Sequence, residues 1–268
     1  MNLKLLTFKL KKNLWADIIW AYKSAFHWSW MEFAEHREYI PWDEIKHIDW
    51  KISARTNKLY IKKYEEERNL DVLFVIDTNP SINQFKKKYE LLKEIFFILG
   101  VTAVSNNDKI SILLNNKFIQ ANTSKQTFIM WLKELEKKHK SFWDLDLMIE
   151  KIKNIKWHLI FILTDKNYNN IEALKKLQLQ NDIIYINYFH YFENNLELID
   201  WDLNFTKWNQ LLSIDLSNEK KIQQYQKLRH KTLNEFKKEL IKSNIDYLYL
   251  DTKKNAYKEF YKFFMSKL

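Results

Sequence analysis

The chain has 268 residues and only one glycine, Gly100. Loops that cradle phosphate, such as the GxGxxG turn and the P-loop, need several glycines because the backbone must approach the phosphate closely. The common kinds of nucleotide-binding enzyme are therefore not expected. The chain also contains no cysteine, which excludes disulfide frameworks, thiolate zinc sites and cysteine nucleophiles.

The apolar stretches of the chain are short. Those at 95–104 and 159–163 fall far below the roughly 20 residues that a membrane-spanning helix needs. The N-terminus is rich in lysine but has no continuous apolar core and no small-residue cleavage site, so no signal peptide is expected. We predict a cytoplasmic protein without a membrane span.

Short apolar runs alternate with amphipathic stretches from residue 70 onward. The runs predict five strands, at 72–76, 110–114, 159–163, 183–186 and 247–250. Helices are predicted near 81–104, 125–138, 144–153, 171–179 and 218–243, and after the last strand. Continuous runs of Ile, Leu, Val and Phe are typical of a parallel sheet covered on both faces. The pattern predicts an α/β fold with a doubly wound, mostly parallel sheet over residues 71–268.

Residues 1–70 do not follow this alternation and are predicted to form an N-terminal elaboration on the α/β domain. Within it, residues 1–30 favour an amphipathic helix rich in tryptophan. Residues 37–64 favour a short excursion of strand and loop.

The excursion is dense in charged and aromatic side chains. We expect Tyr39 and Trp50 to anchor it, and Asp49 to form ion pairs at its base with Arg37 and Arg55. Arginine and carboxylate groups make bidentate hydrogen bonds that fix geometry well. A structural role for this network is favoured over a catalytic one.

Polar residues follow two of the predicted strands. Asp77, Asn79 and Ser81 come after the first strand, and Asp165 comes after the third. Ligands of open α/β sheets bind beyond the carboxyl ends of the strands, and oxygen donors suit a hard cation such as Mg²⁺. The alternative is structural: Asn79 caps a helix that begins at Pro80, and Asp77 favours the positive end of that helix.

The formal net charge of +10 is concentrated after residue 200, where 14 Lys and Arg face 8 Asp and Glu. Between 218 and 243, lysines alternate with apolar residues at helical spacing, typical of a solvated lysine face over a buried stripe. The alternative is a nucleic-acid surface formed by this basic C-terminal quarter and its aromatic rings. Such binding would weaken steeply with salt.

The excursion also carries an ordered series of residues that continues to Asp77. The series is Glu32-Phe33, Arg37, Tyr39, Asp43, Ile48-Asp49-Trp50, Ser53-Ala54-Arg55, Leu59 and Glu67-Arg68. In this series the chain resembles the domain of unknown function 58 family, the MoxR-associated proteins with a von Willebrand factor A-like domain. The resemblance implies a von Willebrand factor A-like α/β fold.

The resemblance also implies a metal-ion-dependent adhesion site, which such domains build from a DxSxS stretch, a threonine and a distal aspartate. Asp77 and Ser81 match the stretch, and Asn79 stands in place of its first serine. Asp165 matches the distal aspartate.

Two tryptophans mark departures from the family pattern. Trp143 stands at the threonine position, and Trp42 replaces the glycine of the hallmark Gly-Asp pair. An indole cannot ligate Mg²⁺, so the resemblance implies an eroded metal site with weak or absent Mg²⁺ binding and no other cofactor.

The resemblance points away from catalysis, because an adhesion site captures an acidic side chain of a partner. The sequence agrees, since its seven histidines show no HExxH spacing and its serines no GxSxG context. We therefore expect a non-enzymatic interaction module that serves as an adaptor or substrate-presenting partner of a MoxR-type AAA+ ATPase.

Overall fold

A computed structural model of the chain describes residues 12–26, 33–56, 58–64, 69–79, 82, 85–114, 117–122, 125–135, 144–195, 203–207, 210–214 and 219–268. The first elements are α1 (Lys12–Phe26), β1 (Phe33–Glu38), α2 (Trp50–Thr56), β2 (Tyr60–Tyr64), β3 (Asp71–Ile76), α3 (Lys86–Ser105), β4 (Lys109–Leu114), β5 (Lys117–Asn122), α4 (Lys125–Leu135) and α5 (Leu145–Ile152). The remaining elements are β6 (His158–Thr164), α6 (Ile171–Gln178), β7 (Asp182–Phe189), β8 (Leu203–Lys207), β9 (Gln210–Ile214), α7 (Glu219–Lys242), β10 (Asp246–Asp251) and α8 (Ala256–Met265).

Six strands form the central sheet in the order β10-β7-β6-β3-β4-β5. All neighbours are parallel except β5, which runs antiparallel to β4. The strand order reverses direction between β3 and β6, as it does at the switch point of doubly wound sheets. The predicted α/β fold with a mostly parallel sheet is confirmed, and the order is compatible with double winding.

Alternation along the strands divides the core into two layers. On β3, Val72, Phe74 and Ile76 face a layer built with α1, α3, α4 and α8. Leu73 and Val75 face the opposite layer, built with α5, α6 and α7. Because successive side chains of a strand point to opposite faces, a continuous apolar run is needed to bury both.

The N-terminal helix α1 is part of the first core layer. Ile18 and Tyr22 on it are fully buried. The Tyr22 hydroxyl donates to Asp108 Oδ2 (2.9 Å), and Asp108 Oδ1 accepts from the backbone N–H of Leu70 (3.0 Å). The helix predicted at residues 1–30 is thus observed at Lys12–Phe26, and the rest of that range lies outside the described residues.

Four features differ from the sequence-based prediction. The strand β5 and the hairpin β8–β9 were not predicted, α2 lies in a segment assigned to strand and loop, and α3 begins later than residue 81. The sequence of β5, KFIQAN, lacks the long apolar run that marked the buried strands. β5 stands at the edge of the sheet, where it pairs with one neighbouring strand, β4.

Other residues occupy positions whose left-handed backbone conformation usually favours glycine. Among the described residues, Asn107, Trp157 and Asn244 have φ values of 61°, 62° and 57°. Asn107 and Asn244 follow the ends of α3 and α7, where a left-handed residue commonly terminates a helix. Asparagine tolerates this conformation better than most side chains, which explains how the fold closes these helices without glycine.

Gly100 is required for the close approach of α4 to α3. A Cβ atom placed on Gly100 would lie 2.1 Å from Cε2 of Phe128. The Phe128 ring also packs against Phe96 of α3, with centroids 5.2 Å apart. The only glycine of the chain therefore serves packing in the core. No helix of the described residues is long and apolar enough to cross a membrane.

We predict that Gly100→Ala lowers the free energy of unfolding, measured by urea denaturation. Alanine is intrinsically about 1 kcal/mol better than glycine in a helix, but the added methyl must displace Phe128, and overpacking costs about 1–3 kcal/mol. In the Phe128→Leu background, the same substitution should be harmless or stabilising. An equal change in the free energy of unfolding in both backgrounds would contradict the contact between residue 100 and the Phe128 ring.

Candidate functional site

The carboxyl ends of β3 and β6 lie side by side where the strand order reverses. Ile76 pairs with Leu163, and the backbone N–H of Asp77 donates to the carbonyl of Leu163 (3.0 Å). Asp77 and Asn79 follow β3, and Asp165 follows β6, so the parallel pairing brings these predicted residues to one edge. Ser81, predicted with them, lies outside the described residues, as does Trp143.

Asp77 is fully buried and surrounded by internal donors. Its Oδ1 accepts from the backbone N–H (3.1 Å) and the side-chain amide of Asn79, and its Oδ2 accepts from the Thr164 hydroxyl (2.9 Å). The Tyr188 hydroxyl donates to the Asp77 carbonyl (3.1 Å). Burial, followed by the nearby charge of Asp165, raises the pKa of the Asp77 carboxyl.

The structural alternative, in which Asn79 caps a helix that begins at Pro80, stays a prediction, because Pro80 and Ser81 lie outside the described residues. The helix α3 begins at Lys86, and the residue before it is Phe85. The side-chain amide of Asn79 donates to Asp77 Oδ1, and the backbone carbonyl of Asn79 accepts from the backbone N–H of Ile82 (3.0 Å). Asn79 is thereby held against the carboxylate of Asp77.

Asp165 is paired with a buried lysine. Lys88 Nζ lies 2.6 Å from Asp165 Oδ2 and 2.8 Å from Glu193 Oε1, and the Lys88 and Asp165 side chains are each 3% exposed. Burial alone would lower the pKa of Lys88, but the two carboxylates outweigh it and leave that pKa raised. Lys88 therefore carries a positive charge inside the protein.

Glu193 connects this lysine to the surface. Its Oε1 also accepts from the backbone N–H of His190 (3.1 Å), and its Oε2 lies 3.3 Å from a guanidinium nitrogen of Arg229. The His190 ring stacks on Phe85 with centroids 4.1 Å apart. Two carboxylates and two cations thus alternate along the edge, from Asp165 to Arg229.

The sequence-based prediction missed Lys88, Glu193 and Arg229. Lys88 stands in a run of three lysines at the start of α3, and nothing in the run distinguishes the buried one. Glu193 lies in the short 3-10 helix Tyr191–Asn194 that follows β7, so its place near the carboxyl end of a predicted strand was a usable signal.

The residues at this edge do not fit a resident Mg²⁺ ion as they stand. Both oxygens of Asp77 accept hydrogen bonds, and Oδ2 of Asp165 is paired with Lys88. Within the described part of the chain, no three acidic or histidine side chains are grouped to hold a metal. Weak or absent Mg²⁺ binding stays a prediction.

The excursion is built around a locked turn. Arg37 donates twice to Asp43, with N–O distances of 2.9 and 2.6 Å, and this pairing is the largest cause that lowers the pKa of Asp43. The backbone N–H of Ile40 donates to Asp43 Oδ2 (2.9 Å), and that of Asp43 donates to the Ile40 carbonyl (2.8 Å). Trp42, inside this turn, is 95% exposed.

Asp49 has a structural role other than the predicted one. Its Oδ1 accepts from the backbone N–H groups of Lys51 (3.0 Å) and Ile52 (3.3 Å), which caps α2, and its Oδ2 lies 3.0 Å from His36 Nε2. Arg37 pairs with Asp43 rather than with Asp49. The predicted ion pair between Asp49 and Arg37 is therefore wrong.

Trp50 does not anchor the excursion, since its side chain is 63% exposed. The buried contacts there come from Ile48 and Ile61, which form a bridge between the two chain segments. Tyr39 is half-buried, and Arg55 is exposed and forms no ion pair with another described residue. Aliphatic side chains take the place predicted for Trp50, and the anchoring role of Tyr39 stays a prediction.

The basic helix α7 has the solvated lysine face predicted for it. Its exposed lysines are Lys220, Lys227, Lys231, Lys237, Lys238 and Lys242. Ile222, Phe236 and Leu240 are buried beneath it, but Leu228, predicted in the same stripe, is exposed. The alternative of a nucleic-acid surface stays a prediction.

We predict that Asp77→Asn raises the free energy of unfolding at neutral pH. Because the pKa of Asp77 is raised in the folded protein, protonated Asp77 contributes its full stability at pH values below the ordinary pKa of 3.8. This contribution is lost as the pH rises through the folded pKa, where the buried carboxyl ionises. The asparagine of the variant cannot ionise, so it does not lose this contribution. The difference in free energy of unfolding between the variant and the native chain should therefore shrink as pH falls toward 3.8. Chemical denaturation at several pH values measures it.

Asp43→Asn is the matched control, because the pKa of Asp43 is lowered. Its contribution is present above the ordinary pKa, so this variant should lose stability at neutral pH. A native chain more stable at neutral pH than Asp77→Asn would contradict the predicted cost of the buried carboxylate.

Comparison with known proteins gives one match. The family model described as "Protein of unknown function DUF58" matches residues 35–233, which span the excursion, the switch point and most of α7. No curated protein and no solved structure matches the chain. Because the model covers well over half of the sequence, the chain belongs to the DUF58 family.

Proposed function

We propose that this protein is a non-catalytic, cytoplasmic interaction module that acts as an adaptor or substrate-presenting partner of a MoxR-type AAA+ ATPase. The observation that carries the proposal is Trp42, an almost fully exposed indole on the turn locked by Arg37 and Asp43. We call the exposed apolar side chains of Ile40, Trp42, Ile45 and Trp50 the hallmark surface.

An exposed indole on a rigid turn suits protein binding. Tryptophan is enriched among the residues that carry most of the binding energy in protein interfaces. A turn that is already fixed by a bidentate ion pair and a backbone hydrogen bond loses little further freedom on binding. The hallmark surface therefore combines apolar area with low ordering cost.

The charges around the hallmark surface favour a protein partner over nucleic acid. Lys46 lies 2.5 Å from Glu44, Lys58 lies 2.5 Å from Glu38, and Arg37 is held by Asp43. Basic groups already matched by carboxylates give little net attraction for a phosphate backbone. A mixed rim around an apolar centre is instead usual for protein interfaces.

The sheet edge supports the absence of catalysis. Asp77, Lys88 and Asp165 are buried, and their interactions are with other side chains of the same edge. A catalytic group must come within hydrogen-bond reach of its substrate, and burial of all three side chains opposes that. The MoxR-type partner rests on the family resemblance carried by the hallmark residues.

We predict that Trp42→Ala weakens binding to the MoxR-type ATPase of the same genome by about 30-fold or more, since a central tryptophan contributes about 2 kcal/mol or more. Biolayer interferometry with the full chain measures the change. Trp157→Asn is the control: Trp157 is 68% exposed, precedes β6 outside the hallmark surface, and has a φ of 62° that asparagine accepts.

Equal losses of affinity for the two variants, or unchanged binding by Trp42→Ala, would contradict the proposal that the hallmark surface binds the ATPase. Absence of any binding by the native chain would contradict the ATPase partner. If the native chain instead bound oligonucleotides with a steep salt dependence, the nucleic-acid alternative would replace the proposal.

A further inference from the structure

The ε-ammonium of Lys88 lies between two carboxylates at the carboxyl edge of the sheet. Lys88 reaches from the first turn of α3 to the carboxylates that follow β6 and β7. One oxygen of Asp165 and one of Glu193 converge on the same nitrogen, at 2.6 and 2.8 Å. These distances are those of charge-assisted hydrogen bonds, so the ammonium group is bound by both carboxylates.

A second observation also points to a cation at this position. Asp165 Oδ1 is buried and has no hydrogen-bond partner among the residues that the structure describes. A buried acceptor without a donor is uncommon in native proteins. The carboxylate thus has one oxygen held by Lys88 and a second with unused capacity to bind a cation.

We propose that this edge is a latent divalent-cation site whose ion position is held by Lys88. The ammonium supplies the positive charge that Asp165 and Glu193 require inside the protein, while Arg229 compensates the other oxygen of Glu193. A divalent ion cannot enter without displacing Lys88, because the two cations would repel each other at contact distance. The edge is therefore independent of Mg²⁺, Ca²⁺ and chelators in the native chain.

Removing the lysine should expose the site. Lys88→Ala leaves Asp165 without its cation and opens the space that the side chain filled. Two carboxylates and retained waters are enough to hold a hydrated divalent ion weakly. Ca²⁺ should bind better than Mg²⁺, because Ca²⁺ accepts flexible oxygen coordination whereas Mg²⁺ demands near-ideal octahedral geometry.

The test compares thermal unfolding of four full-length proteins in EDTA and in millimolar CaCl₂ or MgCl₂. The native chain should melt at the same temperature in all buffers. Lys88→Ala should melt lower in EDTA and regain several degrees in CaCl₂, since a ligand that binds only the folded state stabilises it. Isothermal titration with CaCl₂ should give heat for this variant alone.

Two further variants serve as controls. Lys93→Ala removes another buried lysine of α3, whose Nζ lies 4.9 Å from the centroid of the Tyr89 ring; it should show no response to CaCl₂. Lys88→Met combined with Asp165→Asn removes both charges at nearly constant volume and should fold without responding to CaCl₂.

Three results would overturn the proposal. They are a rise in the native melting temperature with CaCl₂ or MgCl₂, a Lys88→Ala protein indifferent to CaCl₂, and a Lys88→Ala protein unfolded in every buffer while both controls fold. None of these results bears on the ATPase partner, because the inference does not rest on it.

Discussion

The pairing of β3 with β4 on one side and β6 on the other is the interaction on which the rest of the structure depends. Residues 72–76 are buried on both faces, so each face must be covered by its own layer of helices. The residues that follow β3 at its carboxyl end, Asp77, Thr78 and Asn79, are still buried. There the backbone enters a loop while still inside the protein, and every polar group must find an internal partner.

The polar edge follows from that requirement. Asp77 is satisfied by Asn79 and Thr164, and Asp165 is satisfied on one oxygen by Lys88. Burying an ion pair is costly unless hydrogen bonds and geometry compensate the loss of water. The pairing of Lys88 with two carboxylates provides that compensation, and it also gives this edge a permanent internal cation. The exposed apolar side chains of the hallmark surface lie on the excursion, where Trp42 faces solvent.

Much of the fold is predictable because strands buried on both faces have an unmistakable composition. The runs at β3, β6 and β7 identified the sheet, and the aspartates after β3 and β6 were correctly placed at one edge by the rule that parallel strands share their carboxyl ends. The edge strand β5 was missed because its sequence, KFIQAN, has no continuous apolar run, and the hairpin β8–β9 was missed as well. The role given to Trp50 failed for a related reason: aromatic residues predict burial only on average, and Ile48 and Ile61 supply the buried contact instead.

The sequence by itself determined the α/β class, the positions of the buried strands along the chain and the acidic residues that follow them, because these depend on local composition. Only the tertiary structure decided which of three consecutive lysines enters the protein and meets Asp165, 77 residues away. It also decided that Glu193 and Arg229 complete the charge balance, and that the one glycine is needed beneath the ring of Phe128. Contacts between distant segments depend on how helices are placed on the sheet, and no local pattern specifies that placement.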